Sequence, residues 1–295
     1  MLRPTLSPPL RAHLVDIDIE SISRLSTSRL AEKAIPKIGT IELVDSDTFA
    51  TKYDSLYSAS FPKRLERERS DLIITRLSAQ FAGKREGLAP YHIVGIRDSD
   101  GGAIGAAHFS VLPIDGGQFV VPYLQYIYVR SANRRQDMSE VLHTMTLAVA
   151  IADAQAMGGR AVPVTMFETD PPGYGHDDES RAFSTLRAKV HANGGAVAVV
   201  LNKDGKQLSP HVQPGLEVGD SPLTVCWVLR PSPVQTTPWT ISDLGNKLLK
   251  AYYQNIRDEG FPEENISLAE NMAEKRCEGS EWKLVSFDEV RFHLS

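Results

Sequence analysis

Apolar and polar positions change their period several times along this chain, and each change marks an element. Ile41 to Val44 is a short apolar run that predicts a strand. From Asp45 to Ser60, Phe49, Tyr53, Leu56, Tyr57 and Ser60 recur at near-helical spacing, with Asp45 and Ser46 as caps and Phe61-Pro62 as the stop. A second helix is predicted from about Arg64 to Phe81, with Leu65, Leu72, Ile73, Arg76 and Leu77 on one face. Its charged start, Lys63 to Arg69, reads as a solvated face on which Lys63 repels Arg67 and Arg64 attracts Glu68.

Two strands come next, Tyr91 to Arg97 and Ile104 to Leu112, joined by the hairpin signal Asp98-Ser-Asp-Gly-Gly102. Val121 to Val129 is the third strand of this group, and Ser139 to Met157 is a helix with Val141, Leu142, Met145, Val149 and Ala152 on one side. Ala161 to Phe167 is an unbroken apolar run of the parallel-strand type, stopping at Glu168-Thr-Asp-Pro-Pro172. Arg181 to Asn193 predicts a helix closed by Gly194-Gly195, and Ala196 to Leu201 and Leu223 to Leu229 predict two last strands. The predicted order is β-α-α-β-β-β-α-β-α-β-β.

The most informative stretch is Val121 to Gly159, where a strand runs through the basic turn Arg130-Ser-Ala-Asn-Arg-Arg-Gln136 into a long helix. A helix N-terminus leaves backbone N–H groups unpaired, and these together with the macrodipole favour an anion such as phosphate. Arg134 and Arg135 add positive charge at the turn.

This stretch resembles the acyl-CoA motif of the GNAT N-acetyltransferase superfamily, a Val-ended strand followed by Gln/Arg-x-x-Gly-x-Gly/Ala and a helix. Val129 takes the strand end, Arg134 the Gln/Arg position, Asp137 the first glycine and Ser139 the final small residue, with Leu142 on the apolar face beyond. Asp137 departs from the pattern by placing a side chain and a negative charge where a glycine lets the backbone approach a pyrophosphate. The order of elements over roughly residues 40 to 230 is also the GNAT order, and Phe61-Pro62 and Pro210-His-Val-Gln-Pro214 resemble that superfamily too.

The resemblance implies an α/β (α+β) fold, a mixed central sheet flanked by helices, with an additional C-terminal helical segment. It implies three parts: an N-terminal extension over residues 1–39, an acyl-CoA-binding domain over 40–235 and a C-terminal extension over 236–295. The N-terminal part is rich in Pro, Ser and charge, with a helix near Ile22 to Lys33. The C-terminal part carries an apolar stripe of Ile241, Leu244, Leu248, Tyr252 and Ile256 and a short strand from Trp282 to Phe287. It suits a lid, an added layer or a homodimer contact.

Composition bounds the partners. With 295 residues the chain is long enough to bury a full core, and its net charge of −5 argues against nucleic acid as the main partner. Cys226 and Cys277 stand far apart, with no metal-ligand spacing or disulfide framework, so a reducing cytoplasm is expected. No run is apolar enough to span a membrane, and the start lacks the apolar core of a signal peptide. His176, Asp177, Asp178 and Glu179 are adjacent residues that cannot all face one ion, so no metal is expected there and the segment suits an acceptor-site rim.

By resemblance the activity is acyl transfer from acetyl-CoA, or another acyl-CoA, to the amine of a small-molecule acceptor, by direct attack in a ternary complex. Two neighbouring strands, Val121 to Val129 and Ala161 to Phe167, would splay apart, with the backbone of Ile127, Tyr128 and Val129 nearest the thioester. Arg134, Arg135, Gln136, Asp137, Met138 and Ser139 would hold the phosphates. Attack needs a neutral amine, so a carboxylate base is expected, with Glu168 first because it lies just beyond a strand end and Asp170 second. Gln125 and Tyr126 are candidates for the acceptor pocket, and alternation lets only one of them face it. The superfamily's acid tyrosine has no counterpart in Arg187-Ala-Lys-Val-His191; His191 is the substitute, unless it is an ordinary helix histidine. The other class of function is a non-catalytic GNAT-like binding or regulatory module, which Asp137 and the missing tyrosine favour.

Overall fold

The computed structural model describes residues 2, 5–25, 38–134, 136–234 and 236–292. The chain divides into two compact units, residues 1–162 with 232–235, and residues 163–231 with 236–295. The fold class is α/β (α+β), with antiparallel strands flanked by helices in each unit.

In the first unit β1 (Ile38–Leu43), β2 (Tyr91–Asp98), β3 (Ala103–Pro113) and β4 (Val120–Val129) pair antiparallel in chain order. The predicted hairpin turn forms between β2 and β3, where Asp98 Oδ1 accepts from the amides of Asp100 and Gly102 at 3.1 and 2.8 Å. Asp45 caps the helix after β1 by accepting from Thr48 N at 2.7 Å. That helix runs from Ser46–Thr48 through a π-helical turn, Phe49–Tyr53, into Asp54–Ser60. Phe49, Tyr53 and Tyr57 are fully buried with Ile73, Leu77, Tyr91, Ile93, Ala106 and Tyr128 on one face of the sheet. Tyr53 lies directly over Gly95, where an added Cβ would meet its ring at 2.3 Å, and so reaches Glu42 Oε1 at 2.9 Å.

The charged run at Lys63 to Arg69 is not helical. A 3-10 turn, Arg64–Glu66, is followed by extended Arg67 and Arg69, and the helix begins only at Ser70–Phe81. The reason is Glu68, which is drawn inward to a bidentate pair with Arg76 (2.9 and 2.5 Å) instead of lying beside Arg64 on a wet helix face. Lys63 takes Glu66 as its partner at 3.0 Å.

On the other face of the sheet lies the helix Met138–Ala156, as alternation along β2 shows: His92, between Tyr91 and Ile93, reaches Asp153 of that helix. The N-terminal residues belong to this unit too. Leu6 bridges Ile41 in parallel, and the helix Pro8–His13, capped by Ser7, buries Leu10. A short helix, Ile19–Ile22, ends where the predicted Ile22–Lys33 helix was to begin, and residues 26–37 lie outside the described residues.

In the second unit the order is β5 (Val164–Thr169), β10 (Cys226–Pro231), β6 (Val197–Lys203), β11 (Glu281–Val285), antiparallel at each step, with β7 (Lys206–Leu208) beside β6. Two short strands, β8 (Val212–Gln213) and β9 (Leu223–Thr224), form a separate antiparallel pair. The expected 161–167 strand is displaced toward its C-terminus, so Glu168 lies inside β5 opposite Trp227 rather than beyond its end. The last sixty residues are part of this unit's sheet and core. β11 is an edge strand on β6, and all five residues of the predicted apolar stripe are buried along the helix Ile241–Asp258. Gly245 of that helix lets Trp282 of β11 approach, where a Cβ would lie 2.6 Å from the indole. The helix Asp178–Asn193 begins at Asp177, which accepts from Ser180 N at 2.7 Å and so gives the acidic run a capping role. No helix among the described residues is long and apolar enough to cross a membrane.

Candidate functional site

β4 carries an irregularity just before the predicted thioester-binding backbone. His108 pairs with Tyr126 and Phe109 with Leu124, so Gln125 is an extra residue, a β-bulge that re-aims the rest of the strand. Gln125 Oε1 is buried without a hydrogen-bond partner. Beyond the bulge Ile127, Tyr128 and Val129 pair with Ala107, Ala106 and Gly105; a Cβ at Gly105 would meet Tyr128 O at 2.5 Å, so the glycine permits the close approach.

The turn after β4 passes through Arg130 and a 3-10 turn, Ser131–Asn133. Arg130 holds that turn, donating to Asn133 Oδ1 at 2.8 Å and to Asp98 Oδ2 at 3.0 Å. Arg134 is exposed, whereas Arg135 lies outside the described residues. Gln136 Oε1 accepts from Asn133 Nδ2 at 3.2 Å. Asp137 stands at the helix N-cap with φ 55° and ψ 16°, a left-handed conformation that glycine adopts freely, and its side chain makes no capping hydrogen bond. The departure at the first-glycine position therefore keeps glycine's backbone shape and adds only the carboxylate. Met138 is buried, while Ser139 is exposed.

The Tyr126 and Tyr128 rings face the aromatic core under β2 and β3. Tyr126 Oη accepts from Glu68 N at 2.9 Å, and its ring meets Tyr57 and Phe61 edge-on. Tyr128 Oη and His108 Nε2 are 2.9 Å apart, and His108 Nδ1 is 3.4 Å from Tyr91 Oη. Burial first, and then the Arg76 charge, bring the His108 pKa down to about 3, so the imidazole is neutral. Burial pushes the Tyr57 and Tyr128 hydroxyls well above the ordinary phenol range.

In the second unit Glu168 meets a histidine that sequence reasoning passed over. Its Oε1 lies 2.6 Å from His211 Nε2, a close contact without the alignment of a good hydrogen bond. His211 is fully buried, stacked on Trp227 (5.1 Å, 8° between planes) and met edge-on by Tyr252. His191 packs on the Phe167 ring at 4.8 Å. Phe167 and Glu168 are consecutive in β5 and point to opposite faces, so the structure does not bring His191 and Glu168 together. Burial, with the charges of Arg187 and Arg230, lowers the His191 pKa to about 4; near neutral pH it is an uncharged hydrogen-bonding group. Asp170 is paired with Arg187 at 3.2 Å.

No family model matches the chain, and no curated protein does. Solved structures do. A GCN5-related glucosamine N-acetyltransferase region of a fungal multi-domain beta-N-acetylglucosaminidase is 14% identical over 55% of this chain, with a TM-score of 0.33, and the chain spans 18% of that protein. A candidate acetyltransferase from Salmonella typhimurium, solved with acetyl-CoA, is 15% identical over 68% of this chain and 98% of its own, with a TM-score of 0.40. One from Acinetobacter baylyi is 12% identical over 68% and 96%, also at 0.40. The first is described as GCN5-related, and all three as acetyltransferases. At such identities and TM-scores the likeness decides neither family, substrate nor chemistry, which must come from this chain's own residues.

Against the GNAT expectation the most informative missed residue is His211. Its neighbourhood was visible as Pro210-His-Val-Gln-Pro214, but its contact with Glu168 joins segments remote in sequence. The two neutral histidines also set a pH dependence. Folded pKa values of about 3 for His108 and about 4 for His191 lie below the unfolded value near 6.5, so the unfolded chain binds more protons below that pH. Their stabilising effect is complete above pH 6.5 and is lost as pH falls toward 4 and 3. Urea unfolding should show stability falling below pH 6.5 by about 1.4 kcal/mol per pH unit for each imidazole, and His108→Phe should remove about half of that slope.

Proposed function

We propose that this chain is an acyl-CoA-dependent N-acyltransferase that acetylates the amine of a small molecule. The supporting observation is Asp137: a non-glycine residue held at φ 55° at the start of the helix Met138–Ala156, where a phosphate-binding turn needs a glycine-like backbone. Arg134 and the first-turn amides of Met138 and Ser139 would hold the phosphate end, and the backbone of Ile127, Tyr128 and Val129 would orient the arm. A bound acyl-CoA supplies an activated thioester. Glu168, held against His211, would take the proton of the attacking amine, directly or through a water. Tyr126 would line the acceptor side, its hydroxyl fixed by Glu68 N.

Calorimetric titration of the full chain with acetyl-CoA tests this: saturable 1:1 heat is expected, and none at millimolar ligand would sink the proposal. Arg134→Ala should weaken binding by about tenfold, the value of one screened charge-assisted contact. Asp137→Gly should tighten it, since it removes a carboxylate beside the phosphates and keeps the left-handed backbone without strain. The carboxylate is the specific observation that favours the second reading, a GNAT-like module without catalysis. That reading requires Asp137→Gly to create acetyl-CoA binding that the wild type lacks.

A further inference from the structure

Three side chains from distant parts of the first unit converge at a place the proposed chemistry does not use. His13 ends the helix Pro8–His13, His92 projects from β2, and Asp153 stands in the last turn of Met138–Ala156. His13 Nε2 is 3.1 Å from Asp153 Oδ1 and His92 Nε2 is 2.8 Å from Oδ2; one ligand atom from each residue lies within 4.8 Å of the others. In a tetrahedral zinc site with bonds near 2.1 Å, adjacent ligand atoms are about 3.4 Å apart, so the edge from His13 to Oδ1 (3.1 Å) and the edge from His92 to the other oxygen, Oδ2 (2.8 Å), are both close to that spacing and slightly short of it.

The Asp153 carboxylate needs a positive partner. It is buried, which opposes its charge, and it sits at a helix C-terminus, where the macrodipole also opposes an anion. His13 Nε2 is buried and makes no aligned hydrogen bond despite its closeness to Oδ1. A divalent ion would offset the Asp153 carboxylate and give both Nε2 atoms a ligand role.

The geometry points to a divalent transition-metal site formed by His13, His92 and Asp153, with Zn²⁺ or Co²⁺ as its ions and water completing the coordination. Two nitrogens and one oxygen suit such borderline cations, whereas Mg²⁺ and Ca²⁺ require oxygen-rich sets. The His13 side chain is 30% exposed, so the cluster lies close to the surface. Bound metal would fasten the Pro8–His13 helix to β2 and the long helix, so the site is a structural clip. Its ligands are separated by long stretches of chain, which is why no metal-ligand spacing was visible in the sequence.

The test uses the full chain without a histidine tag, stripped with a chelator and titrated with Co²⁺. Visible d–d absorption of a low-coordinate Co²⁺ is expected to saturate at one ion per chain, to be displaced by Zn²⁺, and to be accompanied by a rise in Tm of several degrees. His13→Ala and His92→Ala should each weaken Co²⁺ binding by about a hundredfold or more and abolish the Tm rise. His13 lies at the exposed end of the cluster, so His13→Ala keeps the test valid should a variant at His92 or Asp153 fail to fold. Absence of 1:1 binding at micromolar metal, or unchanged binding by the folded His13→Ala protein, would overturn the site and leave a hydrogen-bonded triad.

Discussion

Arg76→Ala should cost the protein about 3–5 kcal/mol of folding stability, the usual penalty for removing one partner of a buried ion pair. Arg76 and Glu68 each expose only 4% of their side chains, and two N–H···O bonds join them. The alanine leaves the Glu68 carboxylate buried without its cation. It also removes the guanidinium from the Tyr91 ring, 4.7 Å away, and loosens the segment whose Glu68 N donates to Tyr126 Oη and whose Glu68 O accepts from Tyr57 Oη. An Arg76→Met, Glu68→Leu double variant should recover most of the loss, because an apolar pair of similar volume carries no desolvation penalty. Urea unfolding of the single and double variants checks this. Equal destabilisation in both would show that packing, not charge pairing, holds the segment.

The same pair shows what could be read in the sequence and what could not. Helical spacing placed Ile73, Arg76 and Leu77 on the buried face of one helix correctly, because that period reports which positions face a core, whereas Leu65 and Leu72 of the predicted face are exposed. It also ran the helix back to Arg64, because local charge pairing cannot reveal that Glu68 has a better partner inside. Strand pairings at long range were equally hidden. The Trp282 to Phe287 segment was legible as a strand, but nothing local says that it pairs with Leu201 and its neighbours at a sheet edge. At the candidate site the turn and its basic residues were legible. The sign of Asp137's φ was not, since aspartate, although enriched in the left-handed region, still adopts negative φ at most positions. His211 and the His13, His92, Asp153 group were invisible for one reason: each is a meeting of residues brought together only by the tertiary fold.

Glu168→Gln should lower kcat for acetyl transfer by about 10²-fold or more, the usual contribution of a positioned general base, with little change in the affinity for acetyl-CoA. The substitution keeps volume and shape and removes only the basicity, so the separation of kcat from cofactor affinity distinguishes a proton acceptor from a packing residue. Thiol release from acetyl-CoA across a panel of primary amines measures it, and the acidic limb of the pH–rate profile should disappear in the variant. His211→Asn should reduce kcat less. His211 is fully buried against Trp227 and Tyr252 and touches Glu168, so under the proposed function it would act through Glu168 as a positioning residue. It should also lower Tm, because the stacked imidazole is part of the core of its unit. If Glu168→Gln lowers Tm but leaves thiol release untouched, the Glu168–His211 contact is structural and the base lies elsewhere.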